Sequence, residues 1–304
     1  MGAKTQPKVK SLKEAVSLIN DGDKVTFGGF GFRGHPVAVA HEMIRQGKRN
    51  IEIAGSAAWH INNLLIGAGC VDRMLVVADT VEFGGTIPSL RRAVENGRLI
   101  VEDYSFYSFA CRLMASAIGI PFFPTRSMLG SDMLRCNWLE ENNKFRIMDC
   151  PFSGEKVVLV PPLEPDVAVI HAQYADANGN VQLLGPTDLV DEQARASKKV
   201  IVTVEKVVSS SFIRRRPELT IIPSFLVDAV VEVPFGAHPT AMFRFYDFDI
   251  DHLKYSYEQS KDPEKFQEYL KRFVYGLDYS EYLNRIGGAD KTGQLKSNAS
   301  RRPS

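Results

Sequence analysis

The sequence predicts an α/β fold: an open, mainly parallel sheet flanked by helices, with a helical C-terminal extension. Three observations carry that prediction. As far as residue 118, short apolar runs alternate with helical segments, most of them closed by a glycine. Between 157 and 233 β-branched runs such as Val157-Val158-Leu159-Val160 dominate, and from Asp251 to Ile286 the pattern is helical and rich in Tyr, Lys and Glu. Strands alternating with helices of this length argue for a parallel sheet covered on both faces.

Taken in order, Ser11-x-x-Glu14 reads as a capping box that opens a helix from Leu12 to Asn20, with Gly22 as its stop. Lys24 to Phe27 is a strand, Val37 to Gln46 a helix ended by Gly47, Asn50 to Ala54 a strand, and Arg73 to Val77 another. Pro88 to Glu95 is helical with Gly97 behind it, Leu99 to Val101 is extended, and Tyr107 to Ile118 is helical. Residues 125 to 150 read as a long irregular segment beginning with Gly130-Ser131-Asp132, either a functional loop or a surface excursion. Val167 to Ile170, Val200 to Val204 and Val227 to Val233 are further strands, and Asn178-Gly179 is a turn between extended segments. Residues 1–10 are expected to be flexible. The polar, basic stretch 288–304 has too little apolar surface to offset its ordering entropy and is expected to be a disordered tail.

At 304 residues with 44% hydrophobic and 24% charged residues, the chain can bury a sizeable core. A formal net charge of +1 gives no electrostatic case for nucleic acid or an anionic membrane, and no apolar run approaches the ~20 residues of a membrane span. The N-terminus lacks a hydrophobic signal core. Cys70, Cys111, Cys136 and Cys150 form no C-x-x-C pair, so reduced thiols in a cytoplasmic protein are expected, with no metal centre.

The strongest site signal is Val25-Thr26-Phe27-Gly28-Gly29-Phe30-Gly31-Phe32-Arg33-Gly34-His35-Pro36, a short strand that breaks into four glycines before a helix. Glycine tolerates φ > 0 and close approach of a ligand, and the N–H groups of such a loop can face an anion or a developing oxyanion. Gly29-x-Gly31-x-x-Gly34 also matches a dinucleotide fingerprint, with Glu52 near the position of a ribose-binding acid. Against that reading, His35-Pro36 follows the third glycine where a helix should already run, and Glu52 falls inside a strand.

The block Gly28-Gly29-Phe30-Gly31-x-x-Gly34-x-Pro36 resembles the glycine signature of the α subunits of class I coenzyme A transferases. From about residue 10 to 287 the chain looks like the glutaconate-type α subunit, through Leu65-Ile66-Gly67, Glu102-Asp103-Tyr104-Ser105, Pro121-Phe122-Phe123-Pro124 and Pro151-Phe152 with Gly154-Glu155-Lys156-Val157-Val158. Asp166-Val167-Ala168-Val169-Ile170-His171-Ala172-Gln173 and Gly236-Ala237-His238-Pro239 continue the likeness. The resemblance implies a NagB/RpiA/CoA transferase-like fold over residues 11–287, with residues 251–287 as its helical part. It also implies a two-chain enzyme that moves coenzyme A between an acyl-CoA and a dicarboxylic or oxo acid. The nucleophilic glutamate would stand on a β subunit, in an αβ heteromer of higher order, with the thioester as substrate and no permanently bound cofactor. This chain would supply the thioester loop Gly28, Gly29, Phe30 and Gly31, with Phe32, Phe83, Gly130 and Ser131 as candidate pocket residues.

Glu82 departs from that family pattern. In the glutaconate-type subunits the loop after this strand carries small and hydroxylated residues, whereas here it reads Ala78-Asp79-Thr80-Val81-Glu82-Phe83-Gly84-Gly85. Glu82 is a candidate catalytic acid–base, and with it an acyl-CoA hydrolase, ring-opening enzyme or decarboxylase on the same scaffold stays open. A non-catalytic acyl-CoA-binding or regulatory protein is the alternative of another class, and an exposed acid without a role is the plain reading of the residue. Phe30 and Phe32 are pocket walls or core packing. Glu95-Asn96-Gly97 resembles the nucleophile triplet of the partner subunits but ends a helix, where Gly97 serves as a left-handed cap. His171 and His238 read as satisfied, partly buried side chains. Arg214-Arg215-Arg216 is a solvated turn before Pro217 or a phosphate-pairing cluster.

Overall fold

A computed structural model describes residues 8–55, 57–77, 79–135 and 144–301. Among them nine strands form one sheet. Its parallel run is Ile100–Asp103, Val71–Val76, Ile51–Ala54, Lys24–Phe27, Val167–Asp176, Lys199–Val208 and Ala229–Glu232, each bonded to the next. The short strands Val181–Gln182 and Thr220–Ile222 add antiparallel pairs beyond the Asn178-Gly179 turn.

The two-residue period of the strands sorts their side chains onto two buried faces. Val25, Phe27, Val167, Val169, Ile201 and Val231 pack on one face under Val37–Arg45, Trp59–Gly67 and the C-terminal helices. Ala168, Ile170, Val200, Val202, Val204 and Val230 point to the other, against Val190 and Ala194 of the helix Val190–Ala196. Beside that face lies a satellite core under the helix Phe106–Ile118 and a three-stranded antiparallel sheet of Phe123–Thr125, Lys156–Val160 and Arg146–Asp149. The helical C-terminal part is Ile250–Ser260, Pro263–Phe273 and Tyr279–Arg285.

Three expectations about the chain's edges and helices are revised. The first helix stops at Val16, a turn earlier than its apolar pattern suggested, although its Ser11/Glu14 capping box is formed in both directions. Residues 8–10 are tied into the sheet, since Lys8 N–H donates to Ala177 and Lys10 N–H to Val230. The stretch after 287 continues as the helix Gly288–Arg301. One apolar side chain, Leu295, is buried against Tyr246 and Phe235, its carbonyl accepts from Asp247 N–H at 3.1 Å, and Lys291 pairs with Asp249 at 2.9 Å. The segment 125–150 is partly regular, with strands at both ends, and Cys136 lies outside the described residues.

Candidate active site at the glycine loop

Parallel strands put all their carboxyl ends on one edge of the sheet, and four of the loops leaving that edge meet here. Residues 28–36 leave Lys24–Phe27, Gly55 and Ala57 follow Ile51–Ala54, Asp79 to Ile87 follow Val71–Val76, and 233–249 follow Ala229–Glu232. The glycine loop is clamped from several sides. Gly28 N–H donates to Val169 at 2.8 Å, Gly31 N–H to Ala57 at 3.2 Å, Gly34 N–H to Ala241 at 2.8 Å, and Ala241 N–H returns a bond to Phe32 at 2.7 Å. Phe30 and Arg33 close the loop on themselves by exchanging N–H···O bonds of 3.0 and 3.1 Å. Below it, Gln193 Nε2 donates to Thr26 Oγ1 and to the Phe27 carbonyl, fixing the strand end from which the loop departs.

This bonding corrects the expectation of several free N–H groups. Among the described residues only Gly29 and Phe32, of positions 28 to 34, have an N–H without an acceptor. The glycines also differ in what they do. Gly29 sits at φ +94, and a Cβ there would lie 2.7 Å from the Arg33 carbonyl oxygen and from the His35 ring. At Gly31, φ +59, a Cβ would meet Glu82 Oε1 at 3.0 Å. A Cβ at Gly28 would meet Ile170 and Val190 at 3.4 Å, so this glycine packs against those side chains.

A cavity of about 340 Å³ opens on the loop, lined by Phe30, Gly31, Phe32, Arg33, Glu82 and Phe243 among others. Phe32 is held in an aromatic cluster, stacked on Phe248 at 5.2 Å and Phe83 at 6.1 Å, with Trp59 edge-on. It is therefore both wall and packing. Phe30, 37% exposed, meets Phe106 edge-on. Arg33 pairs with Asp188 at 2.7 Å and lies over the Phe30 ring. Glu82 stands at the tip of the Thr80–Val81 and Gly85–Thr86 hairpin, exposed, and Tyr257 pins the turn by donating to the Gly84 carbonyl. The structure thus brings Glu82, Phe30 and Phe32 together beside Gly31, while Phe83, expected as a pocket residue, packs against Phe32, Trp59 and Tyr257 and is not in the cavity's lining. Gly130 and Ser131 form a separate turn in which Ser131 Oγ donates to Met128, and no contact among the described residues joins them to the loop.

Several buried groups near this edge carried no sequence signal. Asp79 accepts from Asn62 Nδ2, and burial pushes its carboxyl up to about 7. Its place in a loop after a parallel strand is the one clue the sequence offers, and the exposed Glu82 three residues on shares it. His171 bonds Thr203 Oγ1 and Glu205 Oε1, each at 2.8 Å, and Glu205 also accepts from Tyr246 and from Phe235 N–H. His238 bonds Tyr282 and Asp249, so both histidines are satisfied as expected, though fully rather than partly buried. His35, directly behind the loop, is pushed down to about 3 by burial. Glu52 pairs in mid-strand with Lys24 at 3.0 Å and is not at a strand end, which removes the acid a dinucleotide site needs. Gly97 takes φ +64 behind the helix Pro88–Glu95, the cap its position suggested. Among the described residues no group of His, Cys, Asp and Glu is placed to hold a metal, and no helix is long and apolar enough to cross a membrane.

The family model described as coenzyme A transferase matches residues 9–233. A glutaconate CoA-transferase subunit from Acidaminococcus fermentans is 38% identical over 92% of this chain and 92% of its own. A 3-oxoadipate CoA-transferase subunit from Pseudomonas knackmussii is 36% identical over 91% and 97%. An uncharacterized Archaeoglobus fulgidus protein is 38% identical over 95% of this chain, which spans 64% of that protein's length. Among solved structures, the glutaconate coenzyme A-transferase of Acidaminococcus fermentans superposes with a TM-score of 0.89 at 36% identity, covering 95% of each chain. The decarboxylase AibA/AibB superposes with a TM-score of 0.74 at 31% identity, over 88% of this chain and 100% of that one.

Proposed function

The chain belongs to the coenzyme A transferase family, and from that premise we propose that it is the α-type member of a two-chain enzyme that moves coenzyme A from an acyl-CoA to a carboxylic acid. The observation that carries the reading is the clamped glycine loop: a rigid loop at the sheet's carboxyl edge, with Gly29 and Phe32 N–H groups left over, beside a cavity whose lining holds one carboxylate, the exposed Glu82, and no Ser, Cys, His or Lys. We assign the nucleophile to the partner chain rather than to Glu82. A glutamate of a β-type partner would attack the thioester carbonyl, expel coenzyme A as thiolate and leave an acyl–glutamyl anhydride. The thiolate then attacks the glutamyl carbonyl, releasing the donor acid and forming a glutamyl-CoA thioester, from which the acceptor carboxylate takes the coenzyme by the reverse steps.

Each tetrahedral adduct carries an oxyanion, and one well-placed donor to it is worth about 3 kcal/mol. The Gly29 and Phe32 N–H groups are the donors we assign, with Phe30 and Phe32 keeping water from the anhydride and Phe83 stacked on Phe32. The αβ pairs assembling further and a cytoplasmic location belong to the same proposal. The acid partners are a dicarboxylic or oxo acid by analogy with the glutaconate and 3-oxoadipate enzymes. Glu82 Oε1 beside Gly31 favours one second reading, in which that carboxylate acts as base in a hydrolytic, ring-opening or decarboxylating reaction.

The test is to assay acyl-CoA exchange by the chain alone and after co-expression with a β-type partner. Exchange is expected only with the partner. Robust exchange by the single chain refutes the split-site reading, and release of free coenzyme A independent of any acceptor acid favours the second.

A further inference from the structure

Phe243, which lines the cavity at the glycine loop, also lines a second groove of about 540 Å³, together with Tyr174, Phe212, Gly185, Arg215 and Arg244. Its lining includes three arginines and no aspartate or glutamate. Arg216 is occupied by Glu218, but neither Arg215 nor Arg244 has an acidic partner among the described residues. Each instead lays its guanidinium over an aromatic ring, Arg215 over Phe212 and Arg244 over Phe243, both at 5.5 Å. Stacking of this kind engages the face of the group and leaves the planar fork of N–H donors free for an anion.

The groove is a built feature. Gln173 Nε2 donates to the Leu184 and Phe243 carbonyls while its Oε1 accepts from Leu184 N–H, fastening together the two loops that form the groove's floor. Gly185, at φ +88, lets Phe243 close down on it, where a Cβ would stand 2.8 Å from the ring. Arg244 itself is held at φ +66, a conformation that non-glycine residues adopt only when the surroundings impose it. Two free guanidiniums, an aromatic wall and a volume in the range of small-molecule sites specify a ligand with separated phosphates and a flat base.

We propose that this groove binds the nucleotide end of the coenzyme A thioester, the 3′-phosphorylated adenosine 5′-diphosphate. Arg215 and Arg244 pair its phosphates, and the adenine lies against Phe212 and Tyr174. The pantetheine arm passes Phe243 and delivers the thioester to the glycine loop. This assignment rests on the transferase reading for the identity of the ligand, while its geometry rests on this chain alone.

Binding of desulfo-coenzyme A and of adenosine 3′,5′-bisphosphate to the full chain and to its complex, measured by calorimetry, tests it. Arg215→Glu and Arg244→Glu, both exposed and outside the core, should each weaken both probes about tenfold or more, the scale of a lost charge-assisted bond, and Arg215→Lys should recover part of the loss. Adenosine without phosphates should bind equally weakly to all of them. In the complex, the KM for acyl-CoA should rise with kcat kept, while the corresponding acyl-pantetheine is turned over unchanged. Unaltered binding and unaltered KM in both glutamate variants overturn the groove assignment even if transfer is robust. A complex that transfers coenzyme A to no acid refutes the transferase reading, and arginine-dependent binding of the two probes would then still support the groove.

Discussion

Gly29 and Gly31 both have positive φ, yet the same substitution should act on them in different ways. An alanine at either position gives up about 1 kcal/mol to the left-handed backbone. At Gly29 the new Cβ also stands 2.7 Å from a backbone oxygen, a backbone carbon and a buried ring, none of which can swing away. Overpacking against fixed atoms adds roughly 1–3 kcal/mol, for a total of about 2–4 kcal/mol. At Gly31 the only near atom is the far end of the Glu82 side chain, 3.0 Å away and free to rotate into solvent, so the loss stays near 1 kcal/mol. For a chain of this size about 2–4 °C of melting temperature accompany each kcal/mol. Gly29→Ala should therefore lower the midpoint by about 4–16 °C and Gly31→Ala by about 2–4 °C, in thermal scans of the complex read by near-ultraviolet dichroism. Turnover should separate the other way, with Gly31→Ala losing activity out of proportion to its stability because it narrows the cavity and displaces Glu82. Equal midpoint shifts in the two variants would refute the clash argument. Full turnover by Gly31→Ala at a normal midpoint would make this part of the loop structural only.

Glu82→Gln should leave transfer to an acceptor acid within about tenfold if the nucleophile is on the partner, whereas a loss of 10²-fold or more would make this carboxylate the base of a hydrolytic, ring-opening or decarboxylating enzyme. Release of free coenzyme A with and without acceptor acids is the measurement. Asp79→Asn should make stability less dependent on pH: burial holds the folded carboxyl's proton up to about 7 against 3.8 in its absence, so the neutral acid's contribution is whole below pH 4 and is lost as pH rises toward 7. The variant should gain on the wild type by up to about 4 kcal/mol between pH 4 and pH 8 in denaturant titrations, and a gap that does not change with pH would refute the buried-acid reading.

Residues whose signal is local were legible in the sequence. The strand Lys24–Phe27 and the helix Pro88–Glu95 follow from apolar period, proline and glycine punctuation, and their ends fall where those residues put them. The helix Trp59–Gly67 was not legible, for a physical reason. It is buried on every side, including His60, Asn62 and Asn63, so it has no polar face and no amphipathic period to read. The helix after 287 was hidden for the opposite reason, because a polar segment docks through one buried leucine, the Lys291–Asp249 ion pair, a backbone bond from Asp247 to Leu295 and Lys296 over the Phe235 ring. At the site, the glycine pattern located the loop, but which N–H groups stay available depends on Ala57, Val169 and Ala241, partners far along the chain that no spacing rule names. The surroundings of the Arg214-Arg215-Arg216 run were likewise not legible, because Phe243 and Arg244, which line a groove with Arg215 and Arg216, come from a separate stretch of the chain.

The clamping of the glycine loop also explains why a backbone site suits this chemistry. An oxyanion donor helps only if it is already aimed when charge develops, and a loop free to relax would spend that advantage on its own reorganisation. Here the neighbouring N–H groups are bonded to three separate segments, and Gln193 fixes the strand below, so the orientation of Gly29 and Phe32 is set during folding. The aromatic cluster behind Phe32 adds a rigid, water-poor wall on the same side. A reactive anhydride must be shielded from water and must meet a mobile thiolate. On the reading proposed above, a fixed wall and two backbone donors on one chain, with a nucleophile brought by another, meet both needs.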